Sequence, residues 1–376
     1  MHNQGLSSYH PPERLLLGPG PTNMDARVLA ALSRPVIGHL DPSFQEFMED
    51  LKTKLRVVFQ TNNAMTLPIS APGSAGMELC LRNLLSPGDT AIICVNGVFG
   101  QRMCENVRRA DAVCITVEDD WGRPIDPQKL EDTLRKHPEA RLVGCVHAET
   151  STGVGSDVRT LASIAHQYDC MIVVDAVTSL GGMELRVDDW ELDAVYSGSQ
   201  KCLGCTPGLS PVTLNERALH YIRNRSEPVR SWFLDVNLLS GYWQPDQRRS
   251  YHHTAPVHTL FALHEACILL LNEGLENAWE RHAAAHRMLK AALDRCGMEF
   301  AVAAECRLPQ LNAVRIPDGV NDAEGRARLL QDFNIEVGAG LGVLAGKIWR
   351  VGLMGPNACR ASIDRLLPAL QSLLPG

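Results

Sequence analysis

Two short stretches of this 376-residue chain leave reactive groups in places where apolar segments seldom carry them. The first, "VVDAVTSLGG" (173–182), runs through apolar residues into a bare carboxylate, Asp175; the second, "YSGSQKCLG" (196–204), delivers Lys201 among serines and glycines. A carboxylate in an apolar setting is costly unless a cation or a hydrogen-bond donor answers it, so Asp175 calls for a buried positive partner, and a pyridinium nitrogen would serve. Small neighbours let another molecule approach Lys201 closely, and a partly desolvated lysine is the usual route to a Schiff base. Taken singly, each has a plainer reading: Asp175 caps a turn and Lys201 is a surface lysine.

A third stretch, "ISAPGSAGMELCLRNLL" (69–85), places small residues and Gly73 ahead of a helical pattern. The free N–H groups at such a helix start, together with the macrodipole, favour an anion such as a phosphate. The stretch matches neither a GxGxxG fingerprint nor a Walker loop, and taken alone it reads first as a capped helix after a proline turn.

The elements that must position these groups alternate. Strand patterns cover 90–96, 112–118, 141–148, 170–177, 193–199 and 210–215, and helical patterns cover 74–85, 100–109, 127–136 and 158–168. Ahead of them, Phe44, Phe47, Leu51, Leu55 and Val58 form one helical face over 44–60. Continuous apolar strands alternating with helices predict an α/β fold with a mostly parallel sheet covered on both faces. Ligands of such sheets gather at the carboxyl ends of the strands. Asp175 ends one strand, Thr150 follows another in "HAETSTG", and Gln200 and Lys201 follow a third, so three strands converge on one edge.

Beyond that sheet, 216–257 reads as irregular and aromatic, 258–297 as one long helical stretch, and "LNAVRIP" (311–317) and "KIWRVGL" (347–353) as strands before a closing amphipathic helix. The expected organisation is an arm at 1–14, a large domain at 15–257, a connecting helix at 258–297 and a small α+β domain at 298–376.

Composition narrows the function. With 45% hydrophobic and 21% charged residues the chain reads as globular, and a net charge of −7 without a Lys/Arg run gives a nucleic-acid backbone nothing to bind. The 12 cysteines are scattered, mostly inside apolar runs, and read as free thiols in a reducing compartment. Cys202 and Cys205 form a CxxC, but no second pair or matched histidines accompany it, so no metal site is expected. The N-terminal stretch lacks the basic and apolar regions of a signal peptide, and no run reaches the roughly 18 apolar residues of a membrane span. A cytoplasmic protein is the expectation.

"LLLGPGPTN", "HAETSTGV", "VVDAVTSLGG", "YSGSQKCLG", "YHHTAP" and "KIWRVGLMG", in this order from about residue 15 onward, resemble the class V (fold type I) pyridoxal-phosphate aminotransferases, and most closely the alanine–glyoxylate and serine–pyruvate group. The resemblance implies a seven-stranded-type sheet in the large domain and a homodimer with shared active sites. It makes Lys201 the residue that forms a Schiff base with pyridoxal 5'-phosphate and then shuttles a proton on the substrate, and Asp175 the partner of the ring nitrogen. By the same resemblance Thr150 bonds the ring hydroxyl, Phe99 in "NGVFGQR" stacks on the ring, and Gly73, Ser74 and Gln200 hold the phosphate. Tyr251 and Thr254 are phosphate ligands lent by a neighbouring subunit, and Arg350 with Gly20 receives the substrate, the guanidinium fork fitting its α-carboxylate. The implied activity is ping-pong transfer of an amino group from alanine or serine to glyoxylate or pyruvate.

Two positions depart from the family pattern: Phe99 stands where tryptophan is frequent, and Ser74 where some members have histidine. Phe99 keeps an aromatic face; Ser74 changes the hydrogen bonding beside the cofactor. Ureidoglycine–glyoxylate aminotransferases resemble the chain through "HAETSTG" and "GKIWRVG" too, though they tend to carry asparagine where this chain has Tyr251. A lyase or desulfurase on the same fold is a further alternative, against which no cysteine falls between 307 and 358, where a desulfurase's mobile loop would lie. The missing glycine fingerprint speaks against a nicotinamide dehydrogenase, and the Asp175, Lys201 and Arg350 set against a non-catalytic module. His252 and His253 are expected to pack rather than react, and His147 to buttress the Thr150 turn.

Overall fold

Seven strands form one sheet: β1 (Met65–Ile69), β2 (Thr90–Val95), β3 (Val113–Glu118), β4 (Ala140–Val146), β5 (Met171–Asp175), β6 (Ala194–Tyr196) and β7 (Ser210–Leu214). Their order is β1-β7-β6-β5-β4-β2-β3, with β7 antiparallel to both neighbours and the others parallel where they pair. The computed structural model describes residues 8–243 and 249–374. Helices on both faces bury the strands, as continuous apolar runs require. The edge strand β3 keeps a more exposed pattern than the rest.

One strand of this sheet escaped the sequence pattern. β1, "MTLPI", contains Pro68, which cannot donate to a ladder and therefore argues against a central strand. Its actual place is the opposite edge of the sheet, paired only to β7, where a missing donor is tolerated.

Local signals set most helix starts. Asp41, Asp126 and Asp157 each accept a bond from the first turn of the helix they precede, Pro42–Phe59, Pro127–Lys136 and Val158–Gln167 respectively. The helices that begin at the carboxyl edge differ. Neither α1 (Gly73–Leu84) nor α2 (Val98–Arg109) has a side-chain cap from its own N-cap residue, Pro72 or Gly97.

The stretch expected as one connecting helix is two, Val257–Glu273 and Leu275–Arg295. They break at Gly274, whose φ of +88° suits glycine alone among common residues. The region expected to be irregular contains the helices Glu216–Arg223 and Val236–Tyr242, while 244–248 lie outside the described residues. Residues 1–7 of the expected arm also lie outside them; 8–13 are exposed and without regular structure.

In the C-terminal part, Ile348–Gly352 runs between Leu311–Arg315 and Gly338–Ala339, antiparallel to both. Leu289, Trp349 and Leu366 form its apolar cluster, which also takes in Leu15 and Leu17. Leu15 and Leu16 pair in parallel with Ile335 and Glu336. The start of the region assigned to the large domain therefore packs with the C-terminal layer, carrying Pro19 and Gly20 across to the sheet edge. Among the described residues no helix is long and apolar enough to cross a membrane.

Candidate active site

Strand register aligns the first group of side chains. Val146 pairs with Asp175 and Asp175 with Tyr196, so the carboxyl ends of β4, β5 and β6 lie side by side. Asp175 is buried, and its Oδ2 accepts the Tyr196 hydroxyl at 2.8 Å while Oδ1 accepts the Val177 N–H at 2.9 Å. Burial raises its carboxyl to about 6, against the pull of these two donors. Burial and the neighbouring carboxylate hold the Tyr196 phenol well above its ordinary value, which keeps it a donor. Among the described residues no cation forms an ion pair with Asp175.

Lys201 follows β6 in a turn and is 8% exposed. Burial lowers its amine to about 8, and the Arg350 and Arg102 charges push the same way. Its Nζ donates to the Pro19 carbonyl oxygen. Gly20 lies against the lysine stem: with φ at +102°, a Cβ there would stand 2.6 Å from Lys201 Cδ. A side chain at 20 and this placement of Lys201 exclude each other.

The uncapped helix starts complete the walls. At α1 a Cβ on Gly73 would meet Val177 Cγ2 at 3.0 Å and the Ser197 carbonyl at 3.3 Å, so glycine lets the helix start close to the strand ends. At α2 the loop after β4 supplies the missing cap. Ser151 Oγ accepts the Val98 N–H at 3.0 Å, and Glu149 Oε2 accepts the Phe99 N–H at 3.2 Å. Glu149 is fully buried, accepts the Ser151 N–H at 3.0 Å and hydroxyl at 2.6 Å, and has its carboxyl raised by burial. Gly97 leaves room for it, since a Cβ there would fall 2.4 Å from the Glu149 carboxyl carbon. This buried carboxyl fixes the turn that presents Phe99.

Together these elements enclose a cavity of about 200 Å³. Of the residues predicted from sequence, Gly73, Ser74, Phe99, Thr150, Asp175, Gln200 and Lys201 line it, and Gln200 Oε1 is buried without a hydrogen-bond partner. Arg350 borders it through Thr150: Nη1 donates to the Thr150 carbonyl at 3.3 Å and Nε to the Ala339 carbonyl at 2.7 Å. Burial lowers the Arg350 guanidinium from its ordinary value, and no carboxylate pairs with it among the described residues. Gly20 reaches the site through Lys201. Tyr251 and Thr254 do not line the cavity of their own chain; Tyr251 is 62% exposed and its hydroxyl lies 3.3 Å from that of Thr254.

Sequence reasoning missed Tyr196, Glu149 and Arg102. Tyr196 is a polar residue ending an apolar strand, and Glu149 lies inside "HAETSTG", so both carried a signal. Arg102 carried none beyond its place one turn after Phe99. The three histidines considered from sequence pack: His252 stacks on Trp232 at 4.4 Å and His253 bonds Ser70 at 2.7 Å, while His147 meets Trp190 edge-on at 5.7 Å. Cys202 donates to the Thr178 carbonyl, and burial pushes its thiol up to about 12.

The profile of the class-V aminotransferases matches residues 16–367. The chain belongs to the class-V aminotransferases. The alanine–glyoxylate aminotransferase of Oryctolagus cuniculus is 38% identical over 365 residues, which span 96% of this chain and 93% of the relative. Among solved structures, an alanine–glyoxylate aminotransferase from Nostoc sp. superposes with a TM-score of 0.96 at 42% identity over 100% of both chains. A ureidoglycine–glyoxylate aminotransferase from Bacillus subtilis superposes with a TM-score of 0.95 at 36% identity, covering 98% of this chain and 94% of its own. As a class-V aminotransferase the chain has the fold expected from sequence, a mostly parallel sheet flanked by helices, and the family depends on pyridoxal phosphate.

Proposed function

We propose that this aminotransferase binds pyridoxal 5'-phosphate in the cavity and transfers the amino group of alanine or serine to glyoxylate or pyruvate by a ping-pong cycle. The observation that carries the reading is the Asp175 carboxylate: buried, held by Tyr196 and Val177, in no ion pair among the described residues, and in the same cavity as a buried lysine. A protonated ring nitrogen is the partner such a group lacks. The unpartnered Gln200 oxygen and the open start of α1 fit the other end of the same molecule.

Bound there, the cofactor supplies an aldehyde for the amino group and a ring that accepts electrons from the substrate carbon. The protein's part is positioning and proton control. Lys201, whose amine is held near 8, presents enough neutral Nζ at physiological pH to react with an aldehyde and to take and return a proton. Asp175 keeps the ring nitrogen charged, and Phe99 offers the ring a flat apolar wall. Thr150 would bond the ring hydroxyl, and Gly73, Ser74 and Gln200 would hold the phosphate. Arg350, anchored by two backbone carbonyls and in no ion pair among the described residues, is able to take the substrate carboxylate.

A second copy of the chain completes the site. Tyr251 lies outside its own cavity and is 62% exposed, its ring 5.5 Å from that of His39, and an exposed aromatic of this kind suits a partner subunit. Tyr251 and Thr254 then serve the neighbour's phosphate.

The second reading is ureidoglycine–glyoxylate transamination, favoured by the Bacillus subtilis relative. Tyr251, where those enzymes tend to have asparagine, supports the alanine and serine reading. A desulfurase would need a reactive thiol at the cavity, and Cys202 is buried and protonated. A panel of alanine, serine and ureidoglycine against glyoxylate and pyruvate tests the choice. Alanine or serine with glyoxylate or pyruvate is expected to turn over fastest; preference for ureidoglycine would overturn the assignment.

A further inference from the structure

Inside one chain, the groups placed around the phosphate end of the cavity are neutral: the start of α1, Ser74 and Gln200. A phosphate dianion is held best by donors that include a fixed charge. Lys201 is assigned to the aldehyde, and Arg350, which does not line the cavity, to the substrate carboxylate. The cavity wall contains one further cation among the described residues. Arg102 donates from Nη1 to Ser74 Oγ at 3.2 Å, and its guanidinium carbon lies 4.9 Å from the centre of the Phe99 ring.

These two contacts fix the guanidinium without neutralising it. The ring face holds it by cation–π attraction, and Ser74 offers a neutral oxygen. No carboxylate pairs with Arg102 among the described residues. A hydroxyl that accepts one hydrogen bond still has its O–H to donate, so Ser74 is able to take Arg102 on one side and turn its proton into the cavity on the other. We propose that Arg102, held by Ser74 across the Phe99 ring, supplies the fixed positive charge for the cofactor's phosphate within each chain. The Ser74–Arg102 pair thereby makes this end of the cavity cationic where some relatives have a histidine at the serine position. The inference rests on the pyridoxal-phosphate reading and names the charge that reading requires.

The test compares pyridoxal phosphate with pyridoxal, which has the same ring and aldehyde but no phosphate. Apoprotein is titrated with each, and binding is followed by the absorbance of the bound cofactor. Losing one charge-assisted contact in Arg102→Gln is expected to weaken pyridoxal phosphate about tenfold to hundredfold and to leave pyridoxal within about twofold. Ser74→Ala is expected to shift the same ratio in the same direction by less, and Arg102→Lys to recover part of the loss. Thermal melting of the apoproteins separates a binding defect from a folding defect. Equal weakening of both ligands in a folded Arg102→Gln protein, or no weakening of either, would overturn the proposal. A wild-type protein that takes up neither ligand would instead overturn the cofactor reading together with it.

Discussion

Tyr196 and Asp175 end adjacent strands in register, and the tyrosine hydroxyl donates to the carboxylate at 2.8 Å. The sheet itself thus sets the distance between a buried acid and its donor. Without that donor the carboxylate keeps only the Val177 amide at 2.9 Å, and burial raises its carboxyl further. Tyr196→Phe is therefore expected to lower both cofactor affinity and kcat, by about tenfold for one hydrogen bond to a charged group. The acid limb of the pH–kcat profile is expected to move upward as well, since a harder-to-ionise Asp175 loses its charge at higher pH. An unchanged profile in Tyr196→Phe would show that the hydroxyl does not tune this acid.

Asp175 and Lys201 also impose a pH-dependent cost on the fold of the apoprotein. The Asp175 carboxyl is raised from 3.8 to about 6, so its contribution to stability is fully present below 3.8 and is lost as pH rises through 6. The Lys201 amine is lowered from 10.5 to about 8, so its contribution is present above 10.5 and is lost as pH falls through 8. At neutral pH both cost stability, each by roughly 3 kcal/mol, because every tenfold change in proton affinity between the folded and unfolded chain is worth about 1.4 kcal/mol. Apo Asp175→Asn is expected to be more stable than the wild-type apoprotein at pH 7.5 and to lose that advantage by pH 4. Apo Lys201→Met is expected to gain at pH 7.5 and to converge with wild type towards pH 10.5. Denaturant unfolding across this range reads the difference; pH-independent offsets would mean that neither group is strained in the folded chain.

How far the site was legible depended on whether a residue acts from a strand end or across the fold. Asp175, Thr150, Gln200 and Lys201 follow apolar runs that read as strands, and the parallel-sheet rule brings such ends together. Glu149 sat in plain view within "HAETSTG". Its task became visible only when the turn after β4 was seen against the start of α2, because capping between separate segments leaves no local spacing. The same holds for Leu15 and Leu16, whose pairing with Ile335 and Glu336 crosses most of the chain. Pro68 concealed an edge strand by obeying the rule that excludes proline from central ones. Gly274 was hidden for the opposite reason: an isolated glycine inside an otherwise helical pattern is tolerated often enough that it does not announce a break.

Arg350 carries a prediction that separates binding from chemistry. Arg350 is 8% exposed and its guanidinium is held by two backbone carbonyls, with no carboxylate in an ion pair with it among the described residues. Removing it takes away the charge proposed for the substrate carboxylate and leaves the Thr150 and Ala339 carbonyls without their donor. Arg350→Ala is expected to cost about 2 to 5 kcal/mol of carboxylate affinity, the range for truncating one partner of a buried charge pair. The loss should appear in KM for both the amino and the oxo acid, since each presents the same group. Arg350→Lys is expected to restore little, because an ammonium cannot reproduce the planar fork. A KM equal to that of wild type would refute the assignment.

Tyr251 and Thr254 allow the shared site to be tested by mixing chains. Their hydroxyls lie 3.3 Å apart on an exposed surface, away from the cavity of their own chain. If each chain lends this pair to its neighbour, Lys201→Ala subunits and subunits carrying both Tyr251→Ala and Thr254→Ala are complementary. In a mixed dimer the intact Lys201 faces an intact Tyr251 and Thr254 in one site, while the other site collects every defect. Refolding equal amounts of the two inactive proteins together is expected to restore about a quarter of wild-type activity, because half of the random dimers are mixed and each has one of its two sites whole. If the pair acted within its own chain, each site would keep one defect and mixing would restore nothing. That result would sink the shared-site arrangement while leaving the chemistry proposed for Lys201 and Asp175 untouched.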